Sequence, residues 1–162
     1  MNGTSIISTT GAYFTTSNRT VECLVSAGAQ LPKRAHSTDA GADLFAWFED
    51  DEIMGTEIYP NEQKLIDTGI AIKIPRSFAG FVYNRSSQGK KGIVIPHSVG
   101  VIDTDYRGTI KVLLKNISED PYKISRNDRI AQLVIQPIEL VDFKDIWNDT
   151  NRGTGGFGST GT

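Results

Sequence analysis

The chain of 162 residues has little of three features that mark particular classes of protein. Cys23 is the single cysteine, which excludes an internal disulfide and favours a reducing compartment. The formal net charge is only −2, so no charge excess favours duplex nucleic acid or an anionic membrane as a partner. The apolar runs are a few residues long, far below the roughly 20 that cross a bilayer. We therefore expect a protein with no disulfide, membrane span or duplex nucleic-acid partner.

The first 19 residues are polar and rich in Thr and Ser. They lack both the basic segment and the apolar core of about 7–15 residues that a secretion signal needs. We expect residues 1–19 to be a loosely ordered polar extension and the protein to be cytoplasmic. Residues 20–148 are long enough for one domain with a core of its own, and residues 149–162 form a separate Gly-rich arm.

Helical periodicity is scarce as well, since no window keeps a 3.6-residue period over three turns; only 142–148 suggests one short helix. The chain instead has short segments in which apolar residues recur at every second position, the period that is typical of half-buried strands. The predicted strands are Val21–Val25, Asp43–Phe48, Ile70–Ile74, Phe81–Tyr83, Ile93–Ile95, Val99–Ile102, Ile110–Leu114 and Ile130–Ile135. Many short strands separated by turns predict an all-β sandwich or barrel.

Three interior segments are more polar than strand texture requires. Residues 84–92 gather a guanidinium, two hydroxyls and two lysines, which suits a polyphosphate chain as well as it suits a polar turn. Asp103 directly follows a predicted strand, with Tyr106 three residues on, so its carboxylate is placed either for general-base catalysis or for an ordinary β-turn. Asp39 and Asp43 flank a Gly turn and suit either an outer-shell magnesium contact or a plain turn.

The stretch from Arg152 to Thr162 contains a literal G-x-G-x-x-G. That fingerprint binds a dinucleotide only when a helix follows it, and no such helix is expected in the four residues after Gly158. A glycine-rich backbone can wrap an anion, Arg152 can bind phosphate oxygens, and Phe157 offers a face for a base. The segment therefore suits a lid over a nucleoside phosphate, with a frayed terminus as the alternative.

In order and spacing these segments resemble the five motifs of the trimeric deoxyuridine triphosphate nucleotidohydrolases, the dUTPases. The resemblance covers residues 21–161. The matching segments are Asp39–Ala46, Asn84–Ser87, Gly100–Gly108, Arg129–Leu133 and Arg152–Gly161.

The resemblance implies a jelly-roll-type β-barrel and a homotrimer, with each C-terminal arm reaching over a neighbour's active site. The implied reaction is hydrolysis of dUTP to dUMP and pyrophosphate, assisted by Mg²⁺. Such a reaction keeps uracil out of DNA and supplies dUMP for thymidylate synthesis. An arm that closes over the site would order on binding.

The resemblance also implies residue roles. Asp103 would be the base that activates the attacking water, and Arg152 would stabilise charge in the transition state. Asp43 would contact a water of the magnesium shell. Tyr106 would exclude a 2′-hydroxyl, and Phe157 would stack on uracil. The implied substrate-binding residues are Arg85, Ser86, Ser87, His97, Gly100, Val101, Ile102, Tyr106, Lys111, Gln132, Phe157, Gly158, Ser159 and Thr160.

One position departs from the family pattern, because His97 stands where the family usually has Asn. A neutral imidazole also offers one donor and one acceptor, so it could read uracil in the same way or relax base selectivity. Two alternative functions stay open: a dCTP deaminase-related enzyme of the same superfamily, and a regulatory protein whose unknown partner is controlled by nucleotide. Asp103 and Tyr106 argue against the deaminase, which needs a glutamate base. The charge argues against an RNA-binding protein.

Overall fold

The computed structural model describes residues 20–50 and 54–148, together with the backbone of two short strands near the N-terminus. This part of the chain is built almost entirely of β-strands joined by turns. In chain order the elements are β1 (Ile6–Ile7), β2 (Tyr13–Phe14), β3 (Glu22–Val25), β4 (Ala42–Phe45), β5 (Gly55–Ile58), β6 (Gln63–Asp67), β7 (Ile70–Lys73), β8 (Phe78–Tyr83), α1 (Ser86–Gly89), β9 (Ile93–Val94), β10 (Gly100–Ile102), β11 (Lys111–Asn116), β12 (Tyr122–Ser125) and β13 (Arg129–Pro137).

The strands pair antiparallel throughout the described residues. The largest sheet has the order β10-β8-β13-β4, and a second sheet has the order β6-β11-β9. Three further pairs complete the pattern: β12 with β5, β3 with β7, and β1 with β2. Strands that are distant in sequence, such as β4 and β13, therefore lie side by side. These sheets confirm the predicted all-β class.

The core is one continuous cluster that is rich in isoleucine. In β11 burial alternates along the strand, so Val112 and Leu114 face inward while Lys111 faces solvent. Asn116 is the next inward position and is fully buried. Its amide nitrogen donates to the carbonyl oxygens of Ile58 (2.9 Å) and Asp120 (2.7 Å), which satisfies the polar group inside the core.

The eight predicted strands are confirmed, with end positions that differ by a few residues. Strands β5, β6 and β12 were not predicted, because each buries only one side chain and otherwise reads as polar. The predicted loop at 84–92 contains the one-turn helix α1.

The helix predicted over 142–148 is wrong. These residues are non-helical and exposed. Phe143 and Trp147 are 95% and 87% exposed, so no packing within this chain stabilises a short helix that would be marginal alone.

Within the N-terminal extension, β1 and β2 pair with each other, which the sequence did not predict. Residues 149–162 lie outside the described residues, and the division into extension, domain and arm stays a prediction. No helix in the described part of the chain is long and apolar enough to span a membrane.

Candidate active site

An open cleft of about 310 Å³ lies beside β10 and is bounded by β8, β11 and the loop that follows β10; we call it the β10 cleft. Among the described residues, β10 is the edge strand of its sheet and pairs only with β8. Its free side therefore leaves backbone groups available to a ligand. The predicted site residues that line this cleft are His97, Gly100, Val101, Ile102, Asp103, Tyr106 and Lys111.

Asp103 is held by a tight turn immediately after β10. The Tyr106 backbone N–H donates to the Asp103 carbonyl oxygen at 3.2 Å. The Thr104 hydroxyl ties the turn to β8 by donating to the Phe78 carbonyl oxygen at 2.8 Å. The Asp103 residue is exposed at the cleft. The β-turn and the general-base interpretations of Asp103 are thus compatible, since the turn fixes the backbone that carries the carboxylate.

His97 lines the cleft, and a contact within the chain determines which of its ring nitrogens can donate. Its Nδ1 lies 3.1 Å from the Val99 carbonyl oxygen. A carbonyl oxygen can only accept, so Nδ1 carries the hydrogen. In a neutral ring Nε2 is then an acceptor, and the imidazole has no second donor to offer a ligand. His97 therefore cannot reproduce both functions of an Asn amide.

A second depression, of about 290 Å³, is lined by four cations and one acid; we call it the cationic groove. Ser87 and Gln88 from α1 and Tyr122 complete its lining. The charged residues are Arg85, Lys91, Lys123, Arg129 and Asp128. This excess of positive charge in a concave surface suits an anion.

The buried carboxylate of Asp43 binds two of the four cations that line this groove. Its Oδ1 accepts from Arg85 Nε at 2.9 Å and from Gln132 Nε2 at 3.4 Å. Its Oδ2 accepts from Arg129 Nη1 at 3.3 Å. Three donors occupy three of the roughly four lone-pair directions of a carboxylate. Asp43 thus holds two predicted phosphate-binding side chains and a third residue, Arg129.

A β-bulge explains how Arg129 reaches this cluster. Arg129 pairs with Phe45 and Ala131 pairs with Leu44, so β13 has one extra residue at this point. Such a bulge bends the strand and redirects its side chains. The freed Arg129 carbonyl oxygen accepts from Arg85 Nη1 and from Gln88 Nε2, each at 3.2 Å.

Sequence reasoning missed several members of the cationic groove. Arg129 was noted only as part of a motif, and Gln88, Lys91 and Lys123 were not assigned to the site. The available signal for Arg129 was its place beside Gln132 on one strand. Ser86 and Ser87 begin α1, and Ser87 Oγ accepts from Arg85 Nη1 at 3.3 Å.

The remaining predicted site residues lie outside the described residues. They are Arg152, Phe157, Gly158, Ser159 and Thr160.

The β10 cleft and the cationic groove share no lining residue among those described. Because β8 and β10 are antiparallel, Asp103 lies beside the Ala79 end of β8, whereas Arg85 follows Tyr83 at the other end. At about 3.3 Å per residue, the strand from Ala79 to Tyr83 alone separates them by roughly 13 Å. The two halves of the predicted site are therefore well apart within one chain.

Comparison with known proteins assigns the family. The dUTPase family model matches residues 27–161 of this chain. The chain belongs to the dUTPase family. A deoxyuridine 5′-triphosphate nucleotidohydrolase of Corynebacterium glutamicum is 48% identical over 135 residues, which cover 81% of this chain and 87% of the relative. A protein of the same name from Clostridium kluyveri is 47% identical over 137 residues, covering 83% of this chain and 92% of the relative.

Solved structures agree with the family assignment. The dUTPase of Staphylococcus bacteriophage 80alpha, solved with dUPNHPP, superposes with a TM-score of 0.73 at 30% identity, over 90% of this chain and 100% of the phage chain. A variant dUTPase from phage phi11 of S. aureus, described for its coordination of a structural Mg(II) ion, gives a TM-score of 0.70 at 28% identity, over 80% of this chain and 98% of that chain. The predicted fold is thereby confirmed as that of the dUTPases.

Proposed function

We propose that this protein hydrolyses dUTP to dUMP and pyrophosphate, and so keeps uracil out of DNA and supplies dUMP for thymidylate synthesis. The observation that carries the proposal is the β10 cleft, where seven residues predicted from the sequence meet around an exposed carboxylate. Membership of the dUTPase family supports the same reaction.

In this proposal the deoxyuridine part of the substrate occupies the β10 cleft. Backbone groups of Gly100–Ile102 read the edge of the base, and Tyr106 lies against the deoxyribose. Asp103 takes a proton from a water as the water oxygen attacks the α-phosphorus. The bond from that phosphorus to the oxygen bridging the α- and β-phosphates breaks, and pyrophosphate leaves. By accepting this proton, Asp103 makes the water a better nucleophile at neutral pH.

Most of the proposed donors to the triphosphate lie outside the cleft. Arg85, Ser86, Ser87 and Gln132 bind its oxygens, and the shared contact with Asp43 holds Arg85 and Gln132 ready for this. We further assign Lys111 to phosphate binding, because it lines the same cleft as Asp103 and stays half-exposed while its Nζ lies 3.6 Å from Asp67 Oδ2.

The C-terminal arm completes the site in this proposal. Arg152 stabilises the transition-state charge and Phe157 stacks on uracil, while Gly158, Ser159 and Thr160 close over the phosphates.

Magnesium fits this site only as an ion held by the substrate. No group of three or more His, Cys, Asp or Glu side chains suited to a metal occurs among the described residues. Asp43 has one lone-pair direction left after its three donors, which suffices for a water of the metal's shell. When bound, Mg²⁺ would neutralise phosphate charge and fix the geometry of the triphosphate.

We propose that the complete site is assembled between subunits of a homotrimer. The separation of Asp103 from Arg85 supports this, because the cleft of one chain would need the groove of another. The segment after β13 supports it too, since Leu140, Phe143 and Trp147 are 74%, 95% and 87% exposed. Large apolar side chains exposed together indicate a surface that another chain covers.

The two alternative functions are not favoured. A dCTP deaminase would need a glutamate base, and the cleft presents Asp103 with Tyr106 instead. A regulatory role requires a partner, and no feature of the described residues identifies one. A cytoplasmic location also stays a prediction.

Product analysis tests the proposed reaction. Purified protein is incubated with Mg²⁺ and dUTP, dCTP or UTP, and the products are resolved by ion-exchange chromatography. We expect dUMP and pyrophosphate from dUTP, with much slower turnover of the other two. Ammonia and dUTP formed from dCTP would instead support the deaminase, and loss of orthophosphate from every nucleotide would contradict the proposed reaction.

A further inference from the structure

We infer that Gly108 is a positioning residue: the absence of a side chain there sets where the Tyr106 ring lies, and so sets the sugar selectivity of the β10 cleft. The inference rests on the proposed function, in which Tyr106 faces the deoxyribose. It concerns a residue outside the lining of the cleft.

The Tyr106 ring folds back over its own loop and lies on Gly108. A Cβ atom at position 108 would come within 2.5 Å of Tyr106 Oη, 2.8 Å of Cζ and 3.2 Å of Cε2, where ordinary contacts begin at 3.4 Å. Any side chain at 108 would therefore move the tip of the ring by roughly 1 Å. The backbone of Gly108 is not left-handed, so close approach and not conformation requires the glycine here.

A hydrogen bond fixes the same ring from its far end. Tyr106 Oη donates to the Thr109 carbonyl oxygen at 3.0 Å. The loop beneath is closed by Arg107, whose Nη1 donates to the carbonyl oxygens of Thr104 and Tyr106, each at 2.8 Å. Gly108 admits the ring and Thr109 anchors it, while Tyr106 as a whole residue is 44% exposed and lines the cleft.

A displacement of this size matters for sugar selection. A ribonucleotide differs from a deoxyribonucleotide by one oxygen at the 2′ carbon, so excluding it by shape requires an atom fixed to within a fraction of its diameter. A shift of about 1 Å is comparable with the space that a hydroxyl needs, so a displaced ring no longer lies at the distance that distinguishes the two sugars. Gly108 is itself exposed and outside the core, so a methyl group there leaves the packing of the fold intact.

Three variants test the inference: Gly108→Ala, Tyr106→Ala and the two combined. The ratio of kcat/KM for dUTP to that for UTP is measured for each, with the thermal midpoint of unfolding. We expect Gly108→Ala to lower the ratio about tenfold while the midpoint barely changes. In the Tyr106→Ala background, Gly108→Ala should not change this ratio further, because the ring through which it acts is absent.

The outcomes separate this inference from the proposed function. If Tyr106→Ala lowers the ratio and Gly108→Ala does not, the inference is overturned and the role of Tyr106 stands. If neither variant changes the ratio, Tyr106 does not select the sugar, and both its proposed role and the inference about Gly108 fail. An equal effect of Gly108→Ala with and without Tyr106 would show that it acts on another group and would overturn the inference. Tyr106→Phe, which keeps the ring and loses only its anchor, should give a smaller decrease than Gly108→Ala.

Discussion

The β10 cleft and the cationic groove are built from opposite materials. The cleft uses the backbone of an edge strand and mostly apolar side chains, with Asp103 and Lys111 as its charged lining residues. The groove uses charged side chains, and the buried carboxylate of Asp43 ties two of them together. The difference shows how the two regions depend on their surroundings. Selection of a ligand by shape requires a rigid backbone. Binding of an anion requires several cations whose mutual repulsion is offset by a nearby acid.

The two regions also depend differently on the rest of the fold. Strand β10 and the turn at Asp103 are held by pairing with β8, by a bond from Thr104 to Phe78 across 26 residues of sequence, and by a hydrogen bond within the turn. The groove depends on contacts between distant parts of the chain, since Asp43 joins Arg85 and Arg129 across 42 and 86 residues of sequence. Substitutions in the cleft should therefore lower the turnover of dUTP alone. Substitutions that disturb the groove should lower the free energy of unfolding as well.

The largest expected effect is in the cleft. Asp103→Asn keeps the size of the side chain but removes the base, so turnover of dUTP should fall by roughly a hundredfold or more. Binding of a non-hydrolysable dUTP analogue and the thermal midpoint should both persist, because the side chain is exposed. Asp105→Asn, an exposed acid two residues on, is the matched control and should keep near-normal turnover. Equal losses in the two variants would place the effect in the loop and not in the base.

In the groove, Asp43→Asn should affect two properties. Loss of the charge leaves Arg85 and Arg129 without their shared partner, so the KM for dUTP should rise about tenfold or more and the free energy of unfolding should fall by about 3 kcal/mol. The measurements are steady-state kinetics and equilibrium denaturation.

Asp128→Asn is a control for Asp43→Asn with the same charge change in the same groove. Asp128 is exposed, and its side chain bonds only the turn amide of Ser125 among the contacts described, so loss of its charge should leave KM unchanged or slightly lower. A rise in KM of equal size in both variants would contradict the special role of Asp43.

A smaller effect is expected at the base-reading end of the cleft. Because His97 Nδ1 is committed to Val99, its Nε2 can accept from the N3–H of uracil but cannot donate to the N3 lone pair of cytosine. His97→Phe should lower the preference for dUTP over dCTP by about tenfold. His97→Asn restores an acceptor and should keep most of the preference. An unchanged ratio of kcat/KM in His97→Phe would mean that backbone groups alone read the base.

The sequence predicted the cleft better than the groove, for a physical reason. Residues Gly100 to Tyr106 are contiguous, so a strand followed by a turn brings them together without knowledge of the tertiary structure. Arg129, by contrast, reaches Asp43 only through the β-bulge, and a one-residue shift of register has no sequence signal here. The polar strands β5, β6 and β12 were missed because what stabilises them is pairing with distant strands.

The false helix at 142–148 has a related cause. Its apolar residues Phe143, Ile146 and Trp147 have the i, i+3, i+4 spacing of an amphipathic helix, but local pattern alone cannot show whether such a face has a packing partner. In this chain they are exposed, which fits a segment whose packing partner is another subunit.

Subunit mixing tests most directly the claim that the cleft of one chain works with the groove of another. Asp103→Asn and Arg85→Ala chains, each nearly inactive alone, are denatured together and refolded in equal amounts, and exchange is verified by native mass spectrometry. If cleft and groove come from different chains, a random trimer restores about a quarter of the sites, since each site draws each half independently. We predict recovery near a quarter of the normal activity. Verified mixed trimers that stay inactive would contradict the claim and place both halves of the site in one chain.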